Sequence, residues 1–408
     1  MVQAAALAQF PDLLRAVSRP LQRLAPVLRV GRVVVVFRYD DVCAVLARDE
    51  DFTVAEVNAA SMDRVNGPFV LGMDRGPTCL WERALLERCV EPGDLLRVRE
   101  LVRAAAAELM DAADGRGRVD VVQELARPVA ARLVGTWFGV PGPDGPTLVR
   151  WMRALFHETF LNAGGDPAVR RAGEAAAREF HAYADALVAQ RRAEVEAGQP
   201  VPDDLVTRLV VLSRAPEALL SDEGVRRNLG GVVVGALETT TKATALAVDQ
   251  LLRHPQALAV AQQAARDGDV ERVTACTFEA LRFAPLSPAL VRHVARDTVL
   301  VSGTGREERL RAGQTLYLAA LPAMFDPASV EDPQAFRPDR QPRPDLHFGS
   351  GLHRCWGSDV NAVVLPELVA ALLRRPGVRR APGRAGRIAY DGPFPDRLLL
   401  ELGPSRAA

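Results

Sequence analysis

The sequence predicts a mainly α-helical protein with small β-sheets, folded as a single domain over residues 1–408. Apolar residues recur at three- and four-residue spacing through residues 95–140 and 168–196, as on the buried face of an amphipathic helix. A valine-rich run in residues 27–39 predicts a β-hairpin around Gly31. No Gly/Ser-rich or Pro-rich linker divides the chain, so its length favours one large fold over two or three domains.

Two further elements are defined by their ends. Residues 40–46 are predicted to form a helix capped by an aspartate. The longest predicted helix begins at the capping residue Ser221 and ends at Arg253, before a His-Pro pair. At 1.5 Å per residue, its roughly 33 residues span about 50 Å, so it should cross the whole molecule.

Composition excludes several classes of function. Hydrophobic residues make up 48% of the chain, charged residues 25%, and the formal net charge is zero, which is typical of a globular protein with a large core. No basic cluster indicates nucleic-acid binding. Residues 1–20 contain no apolar run long enough to cross a bilayer and no signal-peptide pattern, so we expect a cytoplasmic protein without a membrane partner. The five cysteines are widely spaced, which argues against a disulfide framework and a zinc site.

One cysteine lies in a loop with a distinctive pattern. Residues 348–357 read Phe-Gly-Ser-Gly-Leu-His-Arg-Cys-Trp-Gly, so glycines bend the chain around Cys355. The run matches every fixed position of F-G-x-G-x-H-x-C-x-G and in this resembles the cytochrome P450 family. The resemblance implies that Cys355 is the thiolate ligand of haem b (iron protoporphyrin IX) and that Phe348 and Gly349 contact this cofactor. The alternative is a buried structural cysteine.

The centre of the long helix is a second point of resemblance. Its glycines each cost about 1 kcal/mol relative to alanine, and small residues allow close approach of a flat cofactor. A bond from the Thr239 hydroxyl to the Gly235 carbonyl would open a groove for dioxygen. Residues 235–240 follow the family pattern A/G-G-x-D/E-T-T, with Ala236 at the second position. The resemblance implies that Gly235 and Ala236 face the haem, that Thr239 holds the oxidant, and that Glu238 relays protons. The alternative is a run of β-branched residues in a buried helix.

Charged residues complete the resemblance. Glu279 and Arg282 lie three apart on a predicted helix and match the structural E-x-x-R pair of the family. In the family, an arginine that completes this network usually precedes a phenylalanine further along the chain. Here Ala335 precedes Phe336, so Arg337 or Arg340 is a candidate substitute. His353 and Arg292 are the expected partners of the haem propionates, which require cations when buried. The family often has a third pair of propionate partners, a His and an Arg four residues later, but Thr78 and Glu82 occupy these positions here. Arg83, one residue out of register, is the candidate propionate partner. The alternative is that Arg83 lies on a solvated helix face.

Taken together, the resemblance implies a soluble bacterial type of cytochrome P450, a monomer built around a buried haem. It implies a monooxygenase that hydroxylates or oxidatively couples a mid-sized, largely apolar metabolite of secondary metabolism. Electrons would come from a ferredoxin and its reductase, docking near Arg354 and Arg343. A peroxygenase or hydroperoxide isomerase is the first alternative, and a haem-binding sensor without turnover is the second. Eight residues are predicted to line the substrate pocket: Phe69, Val70, Leu71, Val234, Leu237, Pro288, Ala289 and Leu290.

Overall fold

The computed structural model describes residues 11–214, 220–301, 307–340 and 346–403. Helices account for most of this length. Two π-helical turns (Val121–Ala126 and His157–Leu161) and one 3-10 turn (Gly351–His353) join them. In chain order the α-helices are α1 (Pro11–Leu24), α2 (Tyr39–Leu46), α3 (Ala55–Val65), α4 (Pro77–Arg88), α5 (Asp94–Asp114), α6 (Arg127–Thr136), α7 (Gly145–Phe156), α8 (Pro167–Glu196), α9 (Leu205–Leu212), α10 (Asp222–Arg253), α11 (Pro255–Asp267), α12 (Val270–Phe283), α13 (Ala320–Ala323) and α14 (Ser358–Leu373).

The strands form small sheets at the edge of the helical body. The largest has the order β1-β2-β8-β5-β3, and only its β2 and β8 pair in parallel. A three-stranded sheet has the order β4-β12-β9, and two hairpins pair β6 with β7 and β10 with β11. The strands are β1 (Val27–Val30), β2 (Val33–Val36), β3 (Phe52–Thr53), β4 (Arg118–Asp120), β5 (Leu290–Val294), β6 (Thr298–Val301), β7 (Glu307–Leu310), β8 (Thr315–Leu318), β9 (Arg379–Arg380), β10 (Ala389–Asp391), β11 (Phe394–Arg397) and β12 (Leu399–Glu401).

The mainly α-helical class and the N-terminal hairpin are confirmed, and two local predictions are wrong. Helix α2 begins at Tyr39, its N-cap is Arg38, and no side chain caps it. Asp40 lies in the first turn instead, where its charge complements the helix dipole. Residues 95–140 are not all helical, because β4 and a π-helical turn separate α5 from α6.

Helix α10 is the centre of the larger hydrophobic core. Ser221 caps it by accepting a hydrogen bond of 3.2 Å from the Gly224 N–H, and the helix runs unbroken to Arg253, as predicted. Helices α6, α7, α8, α12 and α14 pack around it, so most of its length is buried. Because helix propensity is low at its glycine-rich centre, this packing is what stabilises α10.

A smaller core lies beneath the five-stranded sheet. Val34 and Val36 of β2 and Leu316 and Leu318 of β8 are fully buried on the same face of neighbouring strands. This layer holds β5, and therefore Arg292, beside the cysteine loop. Within the described part of the chain, no helix has the length and apolar character needed to cross a membrane.

Candidate active site

The cysteine loop is held in a compact shape by its own backbone. Gly349 and Gly351 have φ values of +65° and +71°, which favour glycine. A side chain at Gly351 would also collide with the Leu46 carbonyl oxygen, because the loop packs closely on the end of α2. The Cys355 N–H donates to the Phe348 carbonyl at 2.8 Å, which closes the loop just before α14 begins. The glycines of the motif therefore serve the turn that presents the sulfur.

The Cys355 sulfur is buried next to guanidinium groups. Burial raises the pKa of the Cys355 thiol, whereas the Gly357 N–H and the neighbouring guanidinium groups oppose the rise. A metal ion on such a sulfur would displace the proton outright. Trp356 does not donate to the sulfur, because its indole N–H bonds to the Leu86 carbonyl at 3.0 Å. Its ring instead stacks on Trp137, with centroids 6.1 Å apart, which supports a packing role.

One face at the centre of helix α10 borders open space. The Thr239 hydroxyl donates to the Gly235 carbonyl, as the sequence predicted. A side chain at Gly235 would meet no described protein atom within 4 Å, so the space in front of it is open. Gly231, Gly235 and Thr239 are four residues apart and share one face of the helix, where each is partly accessible while most neighbours are buried. This face is therefore the wall of an internal space.

Glu238 lies beside this wall in a buried ion pair. Its carboxylate accepts hydrogen bonds of 3.1 and 3.5 Å from Arg127, and the Arg153 Nε is 3.8 Å away. Burial raises the pKa of Glu238, against the opposing effect of Arg127 and Arg153. Both arginines also line a surface cavity of about 760 Å³ between α6, α7 and the hairpin of β10 and β11. The arginines thus connect a buried acid with a surface cavity.

The pair of Glu279 and Arg282 forms a buried network on α12. Two hydrogen bonds of 2.8 Å join them, and Arg282 also donates to the carbonyls of Met324, Pro333 and Ala335. Arg340 supplies the missing arginine, with its Nε 3.3 Å from the Glu279 carboxylate. The network therefore ties α12 to the irregular segment that precedes the cysteine loop.

Two arginines and one histidine are candidate partners for a negatively charged cofactor. Arg292 is buried and donates only to its own neighbour, the Val291 carbonyl, and burial lowers its pKa to about 10. Among the described residues no carboxylate forms an ion pair with it. Burial likewise lowers the pKa of His353, whose Nε2 lies 2.9 Å from the Met73 carbonyl. Arg83 contacts the Arg354 carbonyl and Glu87, but its Nη1 is buried without a hydrogen-bond partner. Arg292, which has no acidic partner among the described residues, and the buried Nη1 of Arg83 fit the two propionates of haem, and His353 could add a neutral N–H donor.

Protein side chains cover two of the glycines at the centre of α10, whereas Gly235, a predicted contact of the cofactor, is not covered. Small residues at the centre of α10 were expected to admit the haem, but Gly230 and Gly231 are covered by other side chains. A methyl group at Gly230 would collide with Asn66, and one at Gly231 would collide with the Phe69 ring. Gly235 retains open space. The carboxylate of Glu82 accepts hydrogen bonds from Arg227 and Asn228 of α10, so it faces that helix.

The predicted substrate residues are only partly brought together. Phe69 and Val70 are buried next to α10, and Leu71 is half-buried beside them. Val234 adjoins Gly235, and Pro288, Ala289 and Leu290 are half-buried at the start of β5. Leu237 does not belong with this group. It is fully buried and lies about 200° around the helix from Gly235, so it packs into the core on the opposite side.

Sequence reasoning missed two arginines of this site and a buried lysine on the same helix. Arg127 and Arg153 lie on separate helices far from Glu238 in the chain, and no local pattern connects them with it. Lys242 is the only lysine of the sequence and lies seven residues after Gly235, on the same face of α10. Burial lowers its pKa to about 8, with no neighbouring charge contributing. The seven-residue spacing from Gly235 was the available signal for Lys242.

Comparison with known proteins agrees with this geometry. The family model for cytochrome P450 matches residues 27–376. A steroid C26-monooxygenase of Mycolicibacterium smegmatis is 27% identical over 335 residues, covering 82% of this chain and 77% of the relative. The mycinamicin IV hydroxylase/epoxidase of Micromonospora griseorubida is 29% identical and covers 88% and 87%. The crystal structure of CalO2 superimposes with a TM-score of 0.82 at 29% identity, covering 96% and 97%. The chain belongs to the cytochrome P450 family and is accordingly a haem b monooxygenase.

Proposed function

We propose that this monooxygenase receives electrons singly from a separate ferredoxin and reductase and oxidises a mid-sized, largely apolar metabolite of secondary metabolism. Hydroxylation or oxidative coupling of C–H positions is the proposed outcome. The observation that carries the proposal is the buried Glu238, placed next to Thr239 and connected through two arginines to a surface cavity. Proton delivery of this kind is needed chiefly when dioxygen is the oxidant.

The proposed relay uses groups that the fold has already placed. Haem supplies the oxidising chemistry when bound. Glu238 would take a proton from the side of the cavity and pass it toward Thr239, which is the next residue on α10. Its raised pKa favours this, because a relay acid has to hold a proton as well as release it. Thr239 would position the proton, since its hydroxyl oxygen is fixed by donation to the Gly235 carbonyl.

The nature of the substrate is inferred from the side chains near Gly235. Phe69, Val70, Val234 and Leu290 are apolar and present no charge to the pocket. Burial of apolar surface at roughly 25 cal/mol per Å² would then dominate binding. Relatives named as a steroid C26-monooxygenase and a mycinamicin IV hydroxylase/epoxidase support an organic metabolite as the substrate. A compact charged acid is the substrate class that these residues disfavour.

The electron donor is proposed to dock on the cysteine side. Arg354 is exposed next to the ligand, apart from an ion pair of 3.2 Å with Asp359, and Arg88 is exposed at the end of α4 nearby. Arg343 lies outside the described residues. A ferredoxin carries negative charge, and complementary charges steer such encounters. Cytoplasmic location and a monomeric state are part of the proposal.

Turnover under two conditions distinguishes a reductase-dependent monooxygenase from a peroxide-dependent enzyme. A ligand is first found by screening a metabolite library for a shift of the haem Soret band. Turnover of that ligand is then compared with NADPH, ferredoxin and reductase, and with hydrogen peroxide alone. Product formed at least about tenfold faster with the reductase system supports the proposal. Faster turnover with peroxide would assign the protein to the peroxygenases or hydroperoxide isomerases, and absence of product from both would favour a sensor.

A further inference from the structure

A buried ion pair joins α4 to α10 at the position where the family pattern has an arginine and this chain has Glu82. Glu82 is 1% exposed, and Arg227 donates to both of its carboxylate oxygens, one at 2.6 Å. The Asn228 side chain adds a third bond of 2.9 Å. Because an unpaired buried carboxylate would be costly, this set of donors explains why Glu82 faces α10.

The same arginine holds the loop that follows α3. Arg227 Nη1 donates to the Pro68 carbonyl at 2.6 Å, and the Arg227 carbonyl accepts 2.9 Å from the Asn66 side chain. Residues 66 and 68 are therefore both fixed to one residue of α10. Asn66 also fills the space in front of Gly230, which brings the loop into direct contact with the helix backbone.

Phe69 is the residue that this attachment places. Its ring lies on Gly231, where even a methyl group would overlap ring carbons, and it is only 3% exposed. Gly231 is one turn before Gly235 on the same face of α10, so the ring lies beside the open space at Gly235. The glycine at 231 therefore makes room for an aromatic side chain.

We propose that Glu82 and Arg227 are positioning residues that fix Phe69 on Gly231, and that this ring limits the size of ligand admitted beside Gly235. The inference rests on the proposed oxygenase site, because it assumes that ligands bind in the space at Gly235. Arg227 acts through the Pro68 carbonyl, and Glu82 acts by holding Arg227 in the required orientation. Phe69 is the residue that contacts the ligand.

Binding of two azoles to the haem-loaded enzyme tests this without turnover. Imidazole is small enough to bind regardless of Phe69, whereas phenylimidazole has to pass the ring. Gly231→Ala pushes the ring into the pocket, and we expect the dissociation constant of phenylimidazole to rise about tenfold with less than about a twofold change for imidazole. In the Phe69→Ala background the same methyl group has room, and its effect on phenylimidazole should vanish.

The ion pair is tested by removing both charges together. Glu82→Met combined with Arg227→Met leaves no unpaired buried charge, so folding should survive while Pro68 loses its tether. We expect the ratio of the two azole dissociation constants to change at least about fivefold. The exposed ion pair of Glu108 and Arg132 is the matched control, because replacing both residues by methionine removes a pair that does not contact the loop and should keep the ratio within about twofold.

Two outcomes are distinguishable. If Gly231→Ala changes phenylimidazole binding equally with and without Phe69, or if the methionine pair leaves the azole ratio unchanged, this inference is wrong. If instead the wild-type ferrous carbonyl complex fails to absorb near about 450 nm, thiolate ligation and the proposed function are wrong. Thermal midpoints measured for every variant show whether a change in ratio accompanies loss of the fold.

Discussion

Replacing Lys242 with methionine should stabilise the protein at neutral pH. Burial lowers the pKa of this lysine from 10.5 to about 8, so at pH 7 the folded state holds a poorly solvated ammonium group. That difference corresponds to about 3 kcal/mol, since each tenfold change in proton affinity is about 1.4 kcal/mol. Part of the side chain remains accessible, and screening reduces the expected gain to about 2 kcal/mol. Methionine fills a similar volume without a charge.

The stability gained by Lys242→Met should decrease as the pH rises. Between pH 8 and 10.5 the unfolded chain binds the proton that the folded chain has lost, so wild-type stability increases with pH across this window. Urea unfolding of the haem-loaded enzymes, followed by far-ultraviolet circular dichroism at pH 7 and at about pH 9.5, measures the difference. By pH 9.5 the advantage of Lys242→Met should fall to about half. Lys242→Arg is the control, because a guanidinium stays charged and should show no recovery.

A methionine variant that is no more stable than wild type at pH 7 would show that the Lys242 charge does not destabilise the fold. An advantage that stays constant with pH would contradict the prediction as well, because tighter packing rather than relief of a buried charge would then be responsible. Other titrating groups are common to both proteins and cancel in the comparison.

Three further predictions concern the site. Glu279→Ala should lower the free energy of unfolding by about 3 kcal/mol and promote haem loss, because it leaves Arg282 buried without its carboxylate; urea unfolding checks this, with the exposed Glu271→Ala as control. Trp356→Phe should cost about 1 kcal/mol through the lost bond to Leu86 but leave the ferrous carbonyl band in place; a shifted band would show that the indole affects the sulfur. Glu238→Gln should slow ferredoxin-driven turnover about 100-fold and spare peroxide-driven turnover; equal losses in both assays would contradict the relay.

Local features of the site could be predicted from the sequence because the constraints on them are local. The cysteine loop depends on glycines within a few residues of Cys355, and two of them have positive φ. The bond from Thr239 to Gly235 spans one helical turn, as does the pair of Glu279 and Arg282. In each case the spacing along the chain fixes the geometry once the local structure is known.

Features that depend on helix packing could not be predicted in this way. Arg127 lies 111 residues from Glu238, and Glu82 lies 145 residues from Arg227. The way in which α4, α6 and α10 cross decides which arginine pairs with which acid. Because nearly every basic residue of this chain is an arginine, the composition does not indicate these pairs. The glycine pair at 230 and 231 illustrates the same limit. The sequence shows that small residues are needed there, but only the packed structure shows that Phe69 and Asn66 occupy the space.

Three buried glutamates near the haem pocket differ in how fully arginine compensates them, and the difference separates their roles. Glu279 accepts from Arg282, from Arg340 and from a backbone N–H, and Glu82 accepts from Arg227 and Asn228. Among the residues that the structure describes, Glu238 has only Arg127 as a hydrogen-bond donor, at 3.1 and 3.5 Å. Glu279 and Glu82 each hold several donors in place and so brace structure, whereas burial raises the pKa of Glu238, which favours its accepting a proton within the protein. The least compensated acid is also the one beside Thr239, which is the arrangement that proton delivery requires.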